Sequence, residues 1–299
     1  MIDSHIHLTH HKFQNKVPYL RIDGGSGIVI KFGTRKDLIA DLKNAGISTV
    51  VEPGIDLNSN EKILRLARNE PGFVLPAVGV HPTRTYEYPV VRKTKKGKKK
   101  TELQRLYWDD RKRIREWSKE PAVVAIGETG LDYHQKREAQ HRFHQFAWFL
   151  WQLELAHRRR LPVILHVRRA DRDALRILRL YRHRLRGGVC HCFSGSAALA
   201  KSYTDLGLML GIGGKLLSRK NSVLEQAVRE TPLEYILLET DGPFLSPYSP
   251  DPTETQQSSA RNTSLILPAV IARIAEIKNV SYETVERITD ENARRLFRF

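Results

Sequence analysis

Short apolar, β-branched runs alternate with longer amphipathic segments along almost the whole chain, and this alternation restricts the fold more than any other feature of the sequence. Strict alternation of strand and helix predicts an α/β fold with a parallel sheet, and eight such units favour a closed (β/α)8 TIM barrel. The segment from Ser264 onward predicts two further helices. The predicted strands are Ile2 to His7, Thr49 to Pro53, Val74 to Val80, Val123 to Gly127, Val163 to Val167, Gly188 to Cys192, Leu208 to Ile212 and Tyr235 to Thr240.

A basic insertion, about residues 83–116, separates the third predicted strand from the fourth. Its segment Arg92 to Lys100 carries seven positive charges, which repel one another in water unless an anion lies beside them. Two interpretations stay open: a solvated loop, or a nucleic-acid contact, since the insertion leaves the C-terminal end of a barrel strand. No interdomain linker is present, so residues 1–299 are predicted to form one domain. The predicted phosphate contacts in the insertion are Lys95, Lys96, Lys98 and Lys99.

The charge balance indicates the class of partner. Lysine and arginine number 50 against 33 aspartate and glutamate residues, a net charge of +17, which favours a polyanion such as DNA. No apolar run approaches the roughly 20 residues that cross a bilayer, so we expect a cytoplasmic protein without a membrane partner. The two cysteines, Cys190 and Cys192, are too close in sequence to form a useful disulfide.

The candidate metal ligands begin with His5 and His7 on the first predicted strand. A period of two points both imidazoles to one face, where they can hold a single ion. The other candidates lie at the ends of predicted strands, and those ends converge on one mouth of a barrel. Six ligands exceed what one tetrahedral ion takes, so we predict two ions bridged by a carboxylate, with Glu128 as the best bridge. The predicted ligands are His5, His7, Glu128, His166, His191 and Asp241.

A series of short motifs carries a family resemblance. In chain order they are DSHIHL, GVHP, GETGLDY, HVR, HCFSGS, ETDGPFLSP and ENARRLF. The series resembles the signature blocks of the TatD-family deoxyribonucleases of the amidohydrolase superfamily. The resemblance implies hydrolysis of DNA, often as an exonuclease, with magnesium, manganese or zinc. It also implies Asp241 as general base, and it places His5, His7, Glu128 and Asp241 around one ion and Glu128, His166 and His191 around the other.

Two departures from the family pattern lie near these motifs. The family commonly has an acidic residue where this chain has Arg169, although Arg168 matches the family arginine. Where the family often shows Asn-Glu-Pro, this chain has Asn262 followed by Thr263, and Asn262 is the candidate for the same role.

A mechanism follows from these residues: a metal-activated hydroxide attacks the phosphodiester, Asp241 accepts its proton, and Glu128 holds the ions. His81 is predicted to contact phosphate or donate a proton to the leaving oxygen; the alternative is a structural histidine bonded to a backbone carbonyl. Arg168 is predicted to clamp a phosphate, and the alternative is an ion pair with Asp171 or Asp132. The predicted cofactors are two divalent metal ions, which are zinc, manganese or magnesium. Single-stranded DNA is a possible substrate form, because Tyr133, Phe193 and Phe244 are candidates for stacking on bases or for packing.

Two alternatives compete with the nuclease hypothesis. A hydrolase of small phosphate esters, amides or lactones can use the same barrel, because a barrel does not fix the reaction. A catalytically weak nucleic-acid-binding relative would rely on the basic insertion instead.

Overall fold

The computed structural model describes residues 1–23, 27–87, 102–134, 139–218, 221–247 and 260–299. The predicted contact segment Arg92 to Lys100, with Lys95, Lys96, Lys98 and Lys99, lies outside the described residues. None of the helices within those ranges is long and apolar enough to cross a membrane.

Eight strands form one sheet in which each strand lies beside the next of the eight along the chain, and every pairing that the register defines within it is parallel. The Ser4 amide donates to the Leu238 carbonyl at 2.8 Å and so links the last strand back to the first. This is the order of a (β/α)8 barrel, and the predicted fold class is confirmed. The strands are β1 (Ile2–Asp3), β4 (Thr49–Pro53), β5 (Val74–Val78), β6 (Ala125–Asp132), β7 (Val163–Arg168), β8 (Gly188–Cys190), β9 (Met209–Ile212) and β10 (Ile236–Leu238).

The helices follow the amphipathic segments of the sequence. In the helix after β7, for example, Ala174, Leu175, Ile177 and Leu178 form one buried stripe. The two helices predicted for the tail are present, and the serine at position 281 caps the second of them. The helices are α1 (Arg35–Asn44), α2 (Leu57–Asn69), α3 (Glu102–Trp117), α4 (Ala139–Arg159), α5 (Asp171–Tyr181), α6 (Ala197–Thr204), α7 (Ser222–Glu230), α8 (Leu267–Lys278) and α9 (Tyr282–Phe297).

An antiparallel hairpin that the alternation did not predict lies between β1 and α1. It pairs β2 (Val17–Asp23) with β3 (Gly27–Gly33). The buried Tyr19 donates its hydroxyl to Asp41 at 2.6 Å, and the Leu20 amide donates to the Arg261 carbonyl at 3.0 Å. The hairpin therefore holds the chain just before Asn262 in place.

Strand lengths differ from the prediction at several ends. The barrel strand β4 has the predicted bounds, whereas β1 stops at Asp3 and β6 continues to Asp132. Glu128 consequently lies inside β6 rather than after its end, which corrects the predicted placement. The reason is local: a register shift between Ile126 and Thr129 interrupts the pairing with β7, which then resumes over Thr129 to Asp132.

The chain divides into two compact units. Unit 1 comprises Met1–Glu52, Leu66–Leu75 and Val189–Phe299, and unit 2 comprises Pro53–Arg65 and Pro76–Gly188. Unit 1 holds His5, His7, His191 and Asp241. Unit 2 holds His81, Glu128, His166 and Arg168. The prediction of one domain over residues 1–299 stays a prediction.

Candidate metal centre

Four predicted ligands meet in unit 1. The Nε2 atoms of His5 and His7 are 3.2 Å apart, and the Oδ1 atom of Asp241 lies 3.7 Å and 3.4 Å from them respectively. The His191 ring stacks on His5 with a centroid distance of 3.9 Å and an interplanar angle of 12°. The three histidines are buried, and the Asp241 side chain is 15% exposed. Three imidazoles and one carboxylate thus form one cluster.

Backbone hydrogen bonds hold this cluster together. The His7 amide donates to the Gly242 carbonyl at 2.7 Å, and the Asp241 amide donates to the His5 carbonyl at 2.8 Å. Asp241 has a φ of 57°, in the left-handed region that non-glycine residues rarely adopt. Asn262 donates its side-chain amide to the Thr240 carbonyl at 2.7 Å. The family position that Asn262 was predicted to fill therefore braces the segment that carries Asp241.

The Asp241 carboxylate is kept ionised by its neighbours. Burial by itself raises the pKa of Asp241, but the hydrogen bond with His7 and the charges of His191 and His5 outweigh it. The pKa of Asp241 is consequently held below its ordinary value. An ionised carboxylate beside clustered imidazole nitrogens is the donor chemistry of a zinc or manganese site.

The spacing in unit 1 also fits an ion geometrically. With metal–nitrogen bonds of about 2.0–2.1 Å, two nitrogens 3.2 Å apart subtend about 100° at an ion, a normal angle for tetrahedral or octahedral coordination. A cation there replaces the proton that two facing imidazole nitrogens must otherwise share.

A second cluster lies within unit 2. The Nδ1 atom of His166 is 2.9 Å from the Oε1 atom of Glu128, and the Nε2 atom of His81 is 3.4 Å from the same oxygen. The His81 and His166 rings meet edge to face at 4.2 Å. On its other side, the Nε2 atom of His166 lies 3.1 Å from the Oδ2 atom of Asp132. Two carboxylates and two imidazoles therefore lie close together in unit 2.

The two carboxylates in unit 2 stabilise the protonated form of His166. Burial lowers the pKa of His166, but hydrogen bonds and charges from Asp132 and Glu128 raise it to about 9. Burial likewise raises the pKa of Asp132, but the His166 hydrogen bond, the His134 amide and nearby imidazole charge lower it to about 2. The pocket therefore balances two carboxylates with one cation, and a bound metal ion supplies the same balance.

Glycine allows Glu128 and His166 to approach so closely. Gly130 has a φ of 141°, and a Cβ atom there would collide with the backbone carbonyl oxygen of His166. The Glu128 amide donates to the Gly54 carbonyl at 2.8 Å, which fixes the direction of the β6 segment that carries the carboxylate. The GETG motif thus combines one predicted ligand, Glu128, with the backbone that positions it.

The remaining predicted contacts have different surroundings. Arg168 ends β7 with an exposed side chain and has no ion-pair partner among the described residues. Asp132, one of its candidate partners, bonds to His166 instead. His81 accepts the Thr83 backbone N–H on Nδ1 at 3.1 Å, which directs its Nε2 atom toward Glu128.

Asp132 and Glu239 are buried acids near the predicted ligands, and neither was predicted as a site residue. Asp132 pairs with His166, as described above. Glu239, two residues before Asp241, accepts the Cys192 amide and lies 3.9 Å from His191 Nδ1. Burial, followed by the charge of Asp241, raises the pKa of Glu239 well above its ordinary value. Their position next to ligand-bearing motifs, in GLDY and ETD, was the available signal.

The family assignment rests on a match along nearly the whole chain. The sequence model described as "TatD related DNase" matches residues 2–298. This chain belongs to the TatD family of DNases. It is accordingly a metal-dependent hydrolase of a nuclease family, as predicted.

Individual TatD relatives agree with this assignment. The chain is 31% identical over 265 residues to the 3'-5' ssDNA/RNA exonuclease TatD of Pantoea sp. (strain At-9b), covering 88% of this chain and 93% of that protein. It is 32% identical over 263 residues to the uncharacterized metal-dependent hydrolase YabD of Bacillus subtilis (strain 168), covering 88% and 92%.

A solved TatD structure shares the fold. The crystal structure of YjjV, a TatD homologue from Escherichia coli K12, superposes with a TM-score of 0.76 at 24% identity, over 100% of this chain and 98% of that one. At that identity the likeness concerns the fold alone.

Proposed function

We propose that this chain is an exonuclease that hydrolyses phosphodiester bonds of single-stranded DNA, with RNA as a second substrate. The observation that carries the proposal is the convergence of the Asp241 carboxylate with the imidazoles of His5 and His7, whose Nε2 atoms lie 3.7 Å and 3.4 Å from its Oδ1 atom. Relatives about 31% identical bear the name 3'-5' ssDNA/RNA exonuclease, which supports both the reaction and the substrate class.

We assign one divalent ion to His5, His7 and Asp241, and a second to Glu128 and His166. The family resemblance adds Glu128 to the first set and His191 to the second. Four imidazoles favour zinc or manganese, whereas magnesium prefers a shell of oxygen atoms. When bound, the ions screen the phosphate charge and acidify a water molecule.

Asp241 is the proposed general base. Its pKa is held low by His7, His191 and His5, so it is ionised and ready to accept a proton at neutral pH. Its Oδ1 atom faces the same nitrogens that would hold the ion, which keeps the acceptor next to the attacking water.

His81 is the proposed proton donor to the leaving oxygen or to a phosphate oxygen. The Thr83 backbone N–H donates to Nδ1 of His81, so the neutral imidazole carries its hydrogen on Nε2. A nitrogen that bears hydrogen donates rather than ligates a metal. This hydrogen-bond pattern favours the donor role over a ligand role for His81.

The test is hydrolysis of a 5'-labelled single-stranded oligonucleotide by protein loaded with zinc, manganese or magnesium. We expect stepwise shortening that chelation abolishes and that Asp241→Asn reduces by at least about 100-fold, since a positioned general base contributes roughly 10²–10⁴. The matched control is Asp205→Asn, an exposed aspartate that pairs with Lys201. Turnover of small phosphate esters, amides or lactones without strand cleavage would overturn the proposal.

We also propose that the protein acts in the cytoplasm. Fractionation of cells with an antibody against the chain checks this, and recovery in another compartment would contradict it.

A further inference from the structure

A mixed aromatic and cationic surface adjoins the ligand His7 within unit 1. The Phe244 ring lies 6.0 Å from His7 and 5.0 Å from His10, with both pairs edge to face. The His11 ring lies 4.1 Å from His10, and the Lys12 ammonium sits 4.8 Å from the Phe244 centroid. Phe244 and Lys12 are partly exposed, and His11 is exposed. We call these four side chains, His10, His11, Lys12 and Phe244, the Phe244 platform.

The electrostatic surroundings of the platform are positive. Burial and, after it, the charges of His11, His7, Lys12 and Arg261 together lower the pKa of His10 to about 4. Every charged group in this series is a cation. The Lys12 amide donates to Nδ1 of His10 at 3.3 Å, which fixes that ring as a neutral, flat surface. The platform thus offers π-faces within a field that attracts anions.

The other two aromatic candidates for base stacking are already engaged. The Tyr133 hydroxyl donates to Asp173 at 2.9 Å, and the Arg142 guanidinium covers its ring at 4.5 Å. Phe193 is only 5% exposed. Phe244 differs because the group over its ring is the end of a flexible lysine, which can move to a phosphate when a base takes its place.

We propose that the Phe244 platform stacks the nucleobase beside the scissile phosphate, while Lys12 and Arg261 contact the flanking phosphate. The proposal rests on the proposed nuclease function and names a substrate subsite for it. Because Phe244 contacts the ligand His7, a base on its ring lies within about one nucleotide of the proposed metal.

This arrangement favours single strands with little regard to sequence. Every base has a π-face, and stacking on an aromatic side chain is tolerant of base identity. Bases within a duplex are stacked on each other and do not offer that face. A strand lacking its bases is therefore the informative comparison.

The test measures binding of a fluorescent oligothymidylate and of a fully abasic strand of equal length, by anisotropy in EDTA so that no strand is cut. Phe244→Ala should raise the Kd for oligothymidylate about 5-fold to 140-fold, because stacking contributes roughly 1–3 kcal/mol and 1.4 kcal/mol is a factor of ten. It should leave the Kd for the abasic strand unchanged. Phe244→Trp should bind like the wild type.

The matched control is Phe299→Ala, since Phe299 is 36% exposed and has the Arg294 guanidinium 5.2 Å from its ring. It should change neither Kd. Equal weakening on both strands, or no weakening, would overturn the platform. An absence of strand cleavage in the separate turnover assay would overturn only the nuclease function, so the two failures are distinguishable.

Lys12 has its own test in the same assay. Lys12→Ala should reduce the slope of log Kd against log salt by about 0.7, the value expected for one phosphate contact on a single strand. Lys43→Ala is the matched control, because Lys43 lies 4.9 Å from the Phe73 ring in a similar geometry. An unchanged slope for Lys12→Ala would remove the phosphate contact from the proposal.

Discussion

Replacing Asp132 with asparagine is expected to change how the stability of the metal-free protein depends on pH. The pKa of His166 is about 9 in the folded chain against an ordinary value of 6.5, because Asp132 and Glu128 hold its proton. Between those values the folded state binds more protons than the unfolded state. The stabilisation is therefore fully present below about pH 6.5 and is lost as the pH rises through 9.

The magnitude follows from the same values. The interval from 6.5 to about 9 corresponds to roughly 3 kcal/mol at 1.36 kcal/mol per pKa unit, and solvent at the 17% exposed His166 side chain reduces this to about 2 kcal/mol. For a chain of this size that is a fall in Tm of roughly 5 °C. Asp132→Asn removes one of the two carboxylates that raise the pKa of His166, so we expect the fall in Tm between low and high pH to be about half as large in the variant.

The assay is thermal unfolding in EDTA at pH 6 and pH 9.5, together with a histidine NMR titration. In Asp132→Asn the pKa of His166 should move from about 9 toward 6.5, and the fall in Tm over the interval should shrink. Asp173→Asn is the control, because Asp173 bonds to Tyr133 and should leave the pH dependence as in the wild type. A His166 pKa and a Tm profile that are identical in wild type and Asp132→Asn would refute the reasoning.

Three further outcomes are expected. Gly130→Ala should lower the free energy of unfolding by more than about 2 kcal/mol in a urea titration, because its φ of 141° and the His166 backbone exclude a Cβ atom; a loss under 0.5 kcal/mol would contradict this. Adding zinc or manganese to the metal-free protein should raise its Tm, since a metal ion that binds only the folded state stabilises that state. Asp241→Asn should make this rise in Tm smaller. An equal rise in wild type and variant would argue against Asp241 as a metal ligand. Neutralising Lys95, Lys96, Lys98 and Lys99 of the basic insertion should lower the slope of log Kd against log salt for oligonucleotide binding by up to about 3. The metal content should not change. An unaltered slope would favour a solvated loop.

Local sequence patterns predicted much of the fold. The apolar run Thr49–Pro53 has the predicted bounds, and the two tail helices were expected from their periodicity. Such predictions succeed because side-chain alternation and helical periodicity are properties of neighbouring residues. The β2–β3 hairpin was missed, since β2 contains a proline and β3 begins and ends at a glycine. Its position also depends on contacts such as the hydrogen bond from Tyr19 to Asp41.

The location of Glu128 shows where local patterns fail. Its run reads as a strand that ends at Gly127, but pairing with β7 continues past a bulge to Asp132. Strand ends are set by where cross-strand hydrogen bonds stop, and the partner strand is distant in sequence. The same extension brings Asp132 to His166, a contact between residues 34 positions apart.

The sequence by itself determined the parallel α/β plan and the family, and it predicted the types of metal ligand, because these depend on residue identity, spacing and motif order. Only the tertiary structure decided which acids accompany the histidines, which ring of Tyr133, Phe193 and Phe244 stays accessible, and which way each pKa moves. Those properties depend on burial and on distances of a few ångströms between groups far apart in the chain, such as the 2.6 Å hydrogen bond from Ser264 to Asp3. Spacing along the chain does not contain them.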